Sequence, residues 1–390
     1  MENEYVAGIL DNDVYKFTMQ CGACQKYPNA LAMYQFINRD GREFPDGFAD
    51  ELRRIIDTFR GFTLSKDDID FLKEKCYYLN PAYIDLLSGY RYNPDEIILT
   101  QEGSNFHCKY IGPWYRKILW EVPLMATISQ LYFEKTGKTK MIRKERKERN
   151  RLKFMALKEI GVPIAEFGTR RRYSLKNHDE VVRDAKQYLG SCFSGPSNVY
   201  LAKKYNLTPI GTKAHEWYQF HAAMYGFRMA NEMALKIWSD IFQGDLGIAL
   251  PDTFTTDVFL KTFNTFFAKL FDGLRQDSGS PFDFITKSVS KYQKLRIDPM
   301  LKTLVFSDAI NSIDKVKSIH KACINLIRDA YGIGTWFTND VDVIPLNIVI
   351  KMIACMINGR WIDTVKLSDD EGKNTGNKDM IVHCKKDLMI

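Results

Sequence analysis

The sequence predicts an α/β protein: an irregular β/α barrel beside an α/β domain built from both chain ends. Three observations carry that expectation. After residue 160 short apolar segments alternate with helical stretches, the rhythm of parallel strands joined by crossovers. The apolar segments end in chemically rich residues, namely Arg170, His215, Asp252, Asp277, Asp308 and the pair Gly332 and Gly334. In a barrel such ends share one rim, whereas in an open doubly wound sheet they spread along an edge. The strand count falls short of eight, so the barrel is expected to be irregular. Before residue 115 or so, helices mix with short alternating segments, which suits a separate α/β domain.

Taken in order, Asn12 or Asp13 can cap a helix through VYKFTMQCGACQKY, and Pro81 can open one at AYIDLLSG. LAMYQFINR and DEIILTQ read as strands. From about 120 to 160 the pattern is helical, and 135–151 holds nine basic residues against two acidic ones. A nucleic-acid surface is the tempting reading of that run. A solvated helix face is the plainer one, and the absence of interleaved aromatics favours it. PIAEFGTR then precedes the helix candidate HDEVVRDAKQYLG, and NVYLAKKY leads to PIGTKAHEW and an amphipathic run reaching Gln243. GIALPDTF, DGLRQDSGSPFDF, TLVFSDAINS and YGIGTWFTND continue the alternation. The expected division is residues 1–118 for the N-terminal α/β domain, 119–340 for the barrel, and 341–390 packing back on the first domain.

Composition narrows the class. With 45% hydrophobic and 26% charged residues the 390-residue chain is an ordinary globular one, and its net charge of +7 favours acidic ligands. The acidic start MENEYVAGILDND has no apolar signal core, and IPLNIVIKMIACMING is interrupted by Lys351 and too short to span a bilayer. The expectation is a cytoplasmic protein with no membrane contact. Eight scattered cysteines fit a reducing compartment, and Cys21 and Cys24 read as core-facing positions on a helix. There is no GxxxxGK[ST] loop and no strand-linked GxGxxG, so neither a P-loop nor a Rossmann cofactor site is expected.

Several residues could carry chemistry. EFGTRRRYS sets Arg170, Arg171 and Arg172 side by side after a short apolar run. Such arginines either pair with surface acids or grip a carboxylate or phosphate, and the stretch alone leaves both readings open. YGIGT offers glycines that let backbone N–H groups approach a phosphate. RQDSGSP combines Arg275, Asp277 and Ser278 in one loop, suited to phosphate, sugar hydroxyls or a Mg²⁺-bound water. His215, followed by Glu216, can act as base or nucleophile. His221 reads as structural, and His107, His178, His320 and His383 show no ligand spacing, so no dedicated metal cage is expected.

With these residues in view, the chain resembles the bacterial nicotinate phosphoribosyltransferases, a type II phosphoribosyltransferase family. The matching stretches are LDNDVYKFTMQ, EFGTRRRYS, GPSNVYLAKKYNLTPIGTKAHEW, PDTFTTDVF, GLRQDSGSPF, KTLVFSDAI, GIGTWFTND, PLNIVIK and VKLSD, in order over nearly the whole chain. The resemblance implies homodimers with shared active sites, and synthesis of nicotinate mononucleotide and pyrophosphate from nicotinate and 5-phosphoribosyl 1-pyrophosphate. It implies coupling to ATP hydrolysis, with Mg²⁺ carried by pyrophosphate or ATP, as the first step of NAD salvage from nicotinate. It also implies roles: Tyr15, from the neighbouring subunit, and Phe167 sandwich the pyridine ring, and Arg170 faces its carboxylate. Ser197 stands where nicotinamide-using relatives carry an aspartate, which favours the acid over the amide. Arg275, Asp277, Ser278, Asp252, Asp308, Gly332 and Gly334 hold the phosphoribosyl group, and His215 takes a phosphoryl group from ATP. Two departures stand out, Gln276 and Ser280 in place of the histidine and aspartate of the family's RHDSGDP, and Pro196 in GPSN. The rival expectations are a nicotinamide phosphoribosyltransferase and a basic RNA-binding protein on a retired enzyme scaffold.

Overall fold

The computed structural model describes residues 3–137, 139, 141–370 and 373–390, and the chain divides into two compact units. Unit 1 takes residues 1–159, 165–211 and 333–352, and unit 2 takes 160–164, 212–332 and 353–390.

In unit 1 the strands Leu31–Asn38 (β1), Ile97–Glu102 (β2) and Asn105–Pro113 (β3) pair antiparallel, with β3 between β1 and β2. Tyr34 pairs with Tyr110, and Ile97 pairs with the other side of Tyr110. The period-two burial of Ala32, Tyr34 and Phe36 packs one face of β1 inward, with Tyr34 and Tyr110 stacked at 4.8 Å. One expected helix start holds, and a second helix begins three residues before the expected His178. Asn80 caps Pro81–Ser88 with proline at the first position, and Ser174 caps Leu175–Leu189 by accepting from Asn177 N. Asp13 stands at the N-cap position of Val14–Lys26, yet its side chain makes no cap bond there and is engaged elsewhere. Cys21 lies buried on that helix and Cys24 half-buried.

Two short strands also belong here, Ile164–Glu166 (β4) and Phe193–Pro196 (β5), adjacent in their sheet. The basic run forms the helix Arg143–Ile160, where Arg143 and Arg146 meet Glu180, Arg149 meets Asp340 and Asp342, and Arg151 meets Glu148. Four of its arginines are therefore met within the chain. Lys138 and Lys140 of the run lie outside the described residues.

Unit 2 holds the parallel strands Ile248–Ala249 (β6), Gly273–Gln276 (β7), Thr303–Phe306 (β8) and Arg328–Ile333 (β9, whose last residue belongs to unit 1). They pair in sequence order, Ile248 with Gly273, Gly273 with Thr303 and Thr303 with Arg328. Helices Pro281–Lys294 and Ile313–Cys323 form crossovers between them. A Cβ on Gly273 would fall 1.8 Å from Thr303 O, so only glycine fits that step of the sheet. The strand Ile348–Ile357 (β10) ends in unit 2 as a hairpin with Arg360–Asp363 (β11), Ala354 opposite Asp363.

The fold class is the expected mixed α/β one. The strands β4 to β9 are six and short, two to six residues each, against eight in a regular barrel. Two expected strand ends are something else. No strand precedes His215, which opens the helix His215–Tyr225 after an irregular segment. NVYLAKKY contributes a helix, Val199–Lys204, capped by Asn198. Among the described residues no helix is long and apolar enough to cross a membrane.

Candidate active site

Each unit carries a cluster of polar side chains at the ends of its short strands. In unit 1, β4 ends at Glu166 and turns through Phe167 and Gly168 into a 3₁₀ turn, Thr169–Arg171. Phe167 N donates to Ile333 O at 2.8 Å. A Cβ on Gly168 would meet Thr338 Oγ1 at 2.3 Å and Gly334 O at 2.7 Å, so the turn packs too closely for any other residue. Gly334 caps the short helix Thr335–Thr338, where an added Cβ would stand 3.3 Å from Phe167 O.

The three adjacent arginines part company. Arg172 is fully buried and grips Asp11 with two parallel bonds, at 2.8 and 2.7 Å, so its anion is internal. Arg170 keeps 30% of its side chain exposed and reaches Glu121 at 3.2 Å. Glu121 also holds Lys16 at 2.5 Å. Burial alone would push the Glu121 carboxyl up, but Lys16, Arg170 and Lys351 outweigh it and hold it at about 2. A carboxylate beside an arginine satisfies the cation and leaves less of it for a ligand.

Tyr15 lies within this cluster in its own chain, its hydroxyl raised chiefly by burial and felt by Arg170, Glu121 and Asp13. Ser197 donates its one hydroxyl proton to Asp13 Oδ1 at 2.7 Å, and Thr169 Oγ1 donates to the same oxygen at 2.6 Å. Burial raises the Asp13 carboxyl against the lowering effect of those bonds and of Arg170. Ser197 is thus first a partner of Asp13, and it faces a ligand carboxylate as donor only if that bond is exchanged.

In unit 2 the cluster centres on His215, at the first position of its helix. Nδ1 lies 3.0 Å from Thr253 Oγ1, and Nε2 lies 3.1 Å from Asp277 Oδ2 and 2.9 Å from Lys366 Nζ. Desolvation, then Lys366, lower the imidazole to about 4 despite the opposing pull of Asp252 and Asp277, so the ring is neutral near pH 7. Lys366 only donates and ionised Asp277 only accepts, so Nε2 satisfies one of them at a time. With the proton on Nδ1 toward Thr253, Nε2 presents a lone pair.

The loop after β7 is tightly braced. Arg275 donates to Asp277 Oδ1 and to Ser307 Oγ, both at 2.8 Å, and Ser307 Oγ donates to the same Asp277 oxygen. Burial opposes ionisation of Asp277, but Arg275 above all holds it well below the usual carboxylate range. Ser278 donates to Asp252 Oδ2 at 2.6 Å, which Lys366 also approaches at 3.2 Å. Gln276 explains its own departure from the family pattern. Its amide donates to the carbonyls of Ser278 and Gly279, at 3.0 and 2.9 Å, closing the loop from inside. Ser280 caps Pro281–Lys294 through Asp283 N, which an aspartate could also do.

His215, Asp252 and Asp277 could together hold a cation, their ligand atoms lying within 4.8 Å of one another. Asp252 Oδ1 is buried without a hydrogen-bond partner, which suits such a ligand, but the Lys366 ammonium stands among the same atoms. Asp308 is half-buried and raised by desolvation, adding its charge to that of Asp277 without joining the inner group. Gly332 is a residue of β9 itself, and only Gly334 of the pair lies beyond the strand end.

Lys366, Thr253 and Ser307 went unassigned from sequence, as did Asp13 and Glu121. Lys366 lies in the quoted VKLSD, a signal obscured because the C-terminal segment read as packing. Two further helical histidines stand outside both groups, His221 Nδ1 donating to Trp217 O and His178 facing Glu166.

Parallel strands whose ends carry arginine–carboxylate loops, with a neutral imidazole at a helix start, are the arrangement of an α/β enzyme. The sequence profile of the nicotinate phosphoribosyltransferase family matches residues 162–389, and that of the family's N-terminal domain matches residues 10–129. The chain belongs to this family. It is 47% identical over 383 residues to the nicotinate phosphoribosyltransferase of Chromohalobacter salexigens, covering 98% of each chain. It is 43% identical to that of Methanococcoides burtonii, covering 96% of each. The crystal structure of the Porphyromonas gingivalis nicotinate phosphoribosyltransferase superposes with a TM-score of 0.95 at 40% identity, over 98% of this chain and 99% of that one.

Proposed function

We propose that this protein joins nicotinate to 5-phosphoribosyl 1-pyrophosphate, giving nicotinate mononucleotide and pyrophosphate, and that ATP hydrolysis through a phosphohistidine at His215 drives the synthesis. Family membership supports the transferase reading. The observation that carries the ATP step is the neutral imidazole of His215 set between Thr253, Asp277 and Lys366.

Nε2 attacks the γ-phosphorus of ATP, and the departing ADP takes the electrons of the broken P–O bond. Water later splits the N–P bond and releases phosphate. The Lys366 ammonium, already at Nε2, neutralises charge on the incoming phosphoryl group. In the transfer step the pyridine nitrogen attacks the anomeric carbon as pyrophosphate leaves. Positive charge builds on the ring, so the protein acts mainly by orientation and electrostatics. Arg170 faces the nicotinate carboxylate, Phe167 and Tyr15 flank the ring, and the Arg275–Ser278 loop serves the phosphoribosyl group with Asp252 and Asp308. Asp252 and Asp277 are the carboxylates that would contact a Mg²⁺ carried by pyrophosphate or ATP, which would withdraw charge from the phosphate oxygens.

The working form in this reading is a cytoplasmic homodimer with shared active sites, acting at the first step of NAD salvage from nicotinate. One assay tests the core of it: nicotinate mononucleotide formation with and without ATP, on nicotinate and on nicotinamide. Turnover of nicotinamide alone, or no effect of ATP, would remove the corresponding part. Sedimentation in solution checks the dimer.

A further inference from the structure

Beneath the turn that carries Phe167 and Arg170 runs a buried chain of four ionisable side chains. Glu166, His178 and Arg172 are fully buried and Asp11 is 1% exposed. Glu166 Oε1 accepts from Gly168 N, and Glu166 Oε2 lies 2.7 Å from His178 Nε2. His178 Nδ1 faces Arg172 Nη1 at 3.4 Å, and Arg172 grips Asp11. Asp11 also accepts from Ala7 N and from Asn198 Nδ2, so burial, which alone would raise its carboxyl, is outweighed by Arg172 and these bonds.

The ring's proton can be assigned from its neighbours. A guanidinium nitrogen has no acceptor lone pair, so Nδ1 accepts from Arg172 and Nε2 carries the proton given to Glu166. Glu166 then has one oxygen for the histidine and one for the turn's own backbone, at Gly168. The chain links the N-terminal segment, the β4 turn and the helix Leu175–Leu189 through side chains alone.

We infer that His178 is a positioning residue: through Glu166 it fixes the Phe167–Arg170 turn in the orientation that receives nicotinate. This rests on the role proposed for that turn. A half-satisfied buried chain of this kind is costly, so losing one member shifts the others. Misplacement of the turn weakens nicotinate binding and leaves the His215 cluster, which shares none of these residues, at work.

The test compares His178→Phe, which fills the space without nitrogen atoms, with His178→Gln, which keeps a donor for Glu166. Expected is a rise in nicotinate KM of about tenfold to a hundredfold for the first, with ATP-dependent labelling of His215 within about twofold of wild type. The second should recover most of the loss. An unchanged nicotinate KM in folded His178→Phe, a His178→Gln as impaired as His178→Phe, or equal loss in both half-reactions overturns the inference. Should His178→Phe not fold, His178→Leu, which also lacks a donor for Glu166, takes its place under the same readings. In ¹⁵N-histidine NMR the signal pair missing from His178→Gln should show one protonated and one bare nitrogen, and two protonated nitrogens would refute the assignment. If wild-type protein makes no nicotinate mononucleotide, the proposed function fails, while the NMR result stands on its own.

Discussion

Lys366 Nζ lies 2.9 Å from His215 Nε2 and 3.2 Å from Asp252 Oδ2, so one ammonium bridges the imidazole and a buried carboxylate. The pair places a cation at the nitrogen proposed to take a phosphoryl group. It also opposes protonation of that nitrogen, and its hydrogen bond to the lone pair would be exchanged for one to the incoming phosphoryl oxygens.

Lys366→Met removes this charge and keeps most of the side chain's volume. The labelling rate of His215 by γ-phosphate ATP should fall by about tenfold to a thousandfold, the range for losing one preorganised electrostatic partner. Asp252 loses a partner too, so Lys366→Arg, which keeps the charge, should recover part of the rate. Labelling of Lys366→Met at the wild-type rate would sink the role.

The depressed imidazole predicts a pH signature. Because His215 is lowered to about 4 from an ordinary 6.5, the unfolded chain binds the proton more readily across that window. Stability associated with the neutral ring is present above pH 6.5 and is lost as pH falls toward 4. His221, also held at about 4 by burial, adds a second such group. His215→Gln should flatten part of the acid limb of a stability–pH curve measured in urea. Identical limbs in both proteins would show that His215 titrates normally.

Much of this was legible in residue order, for definite reasons. The helices at Val14 and Pro81 announce themselves by apolar spacing and by the residues before them, the helix through HDEVVRDAKQYLG by its spacing though not its start, and the DSG loop by its composition. What was hidden depends on long-range pairing. No local rule says that Arg172 will meet Asp11 while Arg170 meets Glu121, or that the Ser197 hydroxyl will be taken by Asp13, 184 residues away. The irregular stretch before His215 resembled a strand by composition, yet it is held by other means. Thr212 Oγ1 and Lys213 Nζ both donate to Ile248 O, at 3.1 and 3.2 Å.

Lys213 in that stretch yields a stability prediction. Its amine is buried over the rings of Trp238 and Phe271, at 4.4 and 5.0 Å, and burial lowers it well below an ordinary lysine. The unfolded chain therefore binds a proton that the folded one resists, so stability should rise as pH climbs toward 10.5. Lys213→Met should be more stable than wild type at pH 7 by about 1–3 kcal/mol and should lack that alkaline rise. Calorimetry at pH 7 and pH 9 decides, and a destabilised Lys213→Met would mean that its bond to Ile248 matters more than its desolvation.

Arg170 separates the two substrates. Its guanidinium is partly exposed and shared with Glu121, whose other partner, Lys16, stays in place when the arginine is removed. Arg170→Ala should therefore cost about 1–3 kcal/mol, since Glu121 is buried but keeps Lys16. It takes away the cation proposed to face the nicotinate carboxylate, so nicotinate KM should rise about tenfold to a hundredfold, the loss expected for a charge-assisted hydrogen bond. The KM for ATP should stay near its wild-type value. Glu121→Gln provides the converse: with its competitor neutralised, Arg170 has more of its charge to offer, and nicotinate KM should fall or hold steady. Parallel shifts of both substrates in Arg170→Ala would mean that the arginine shapes the unit as a whole and does not recognise nicotinate.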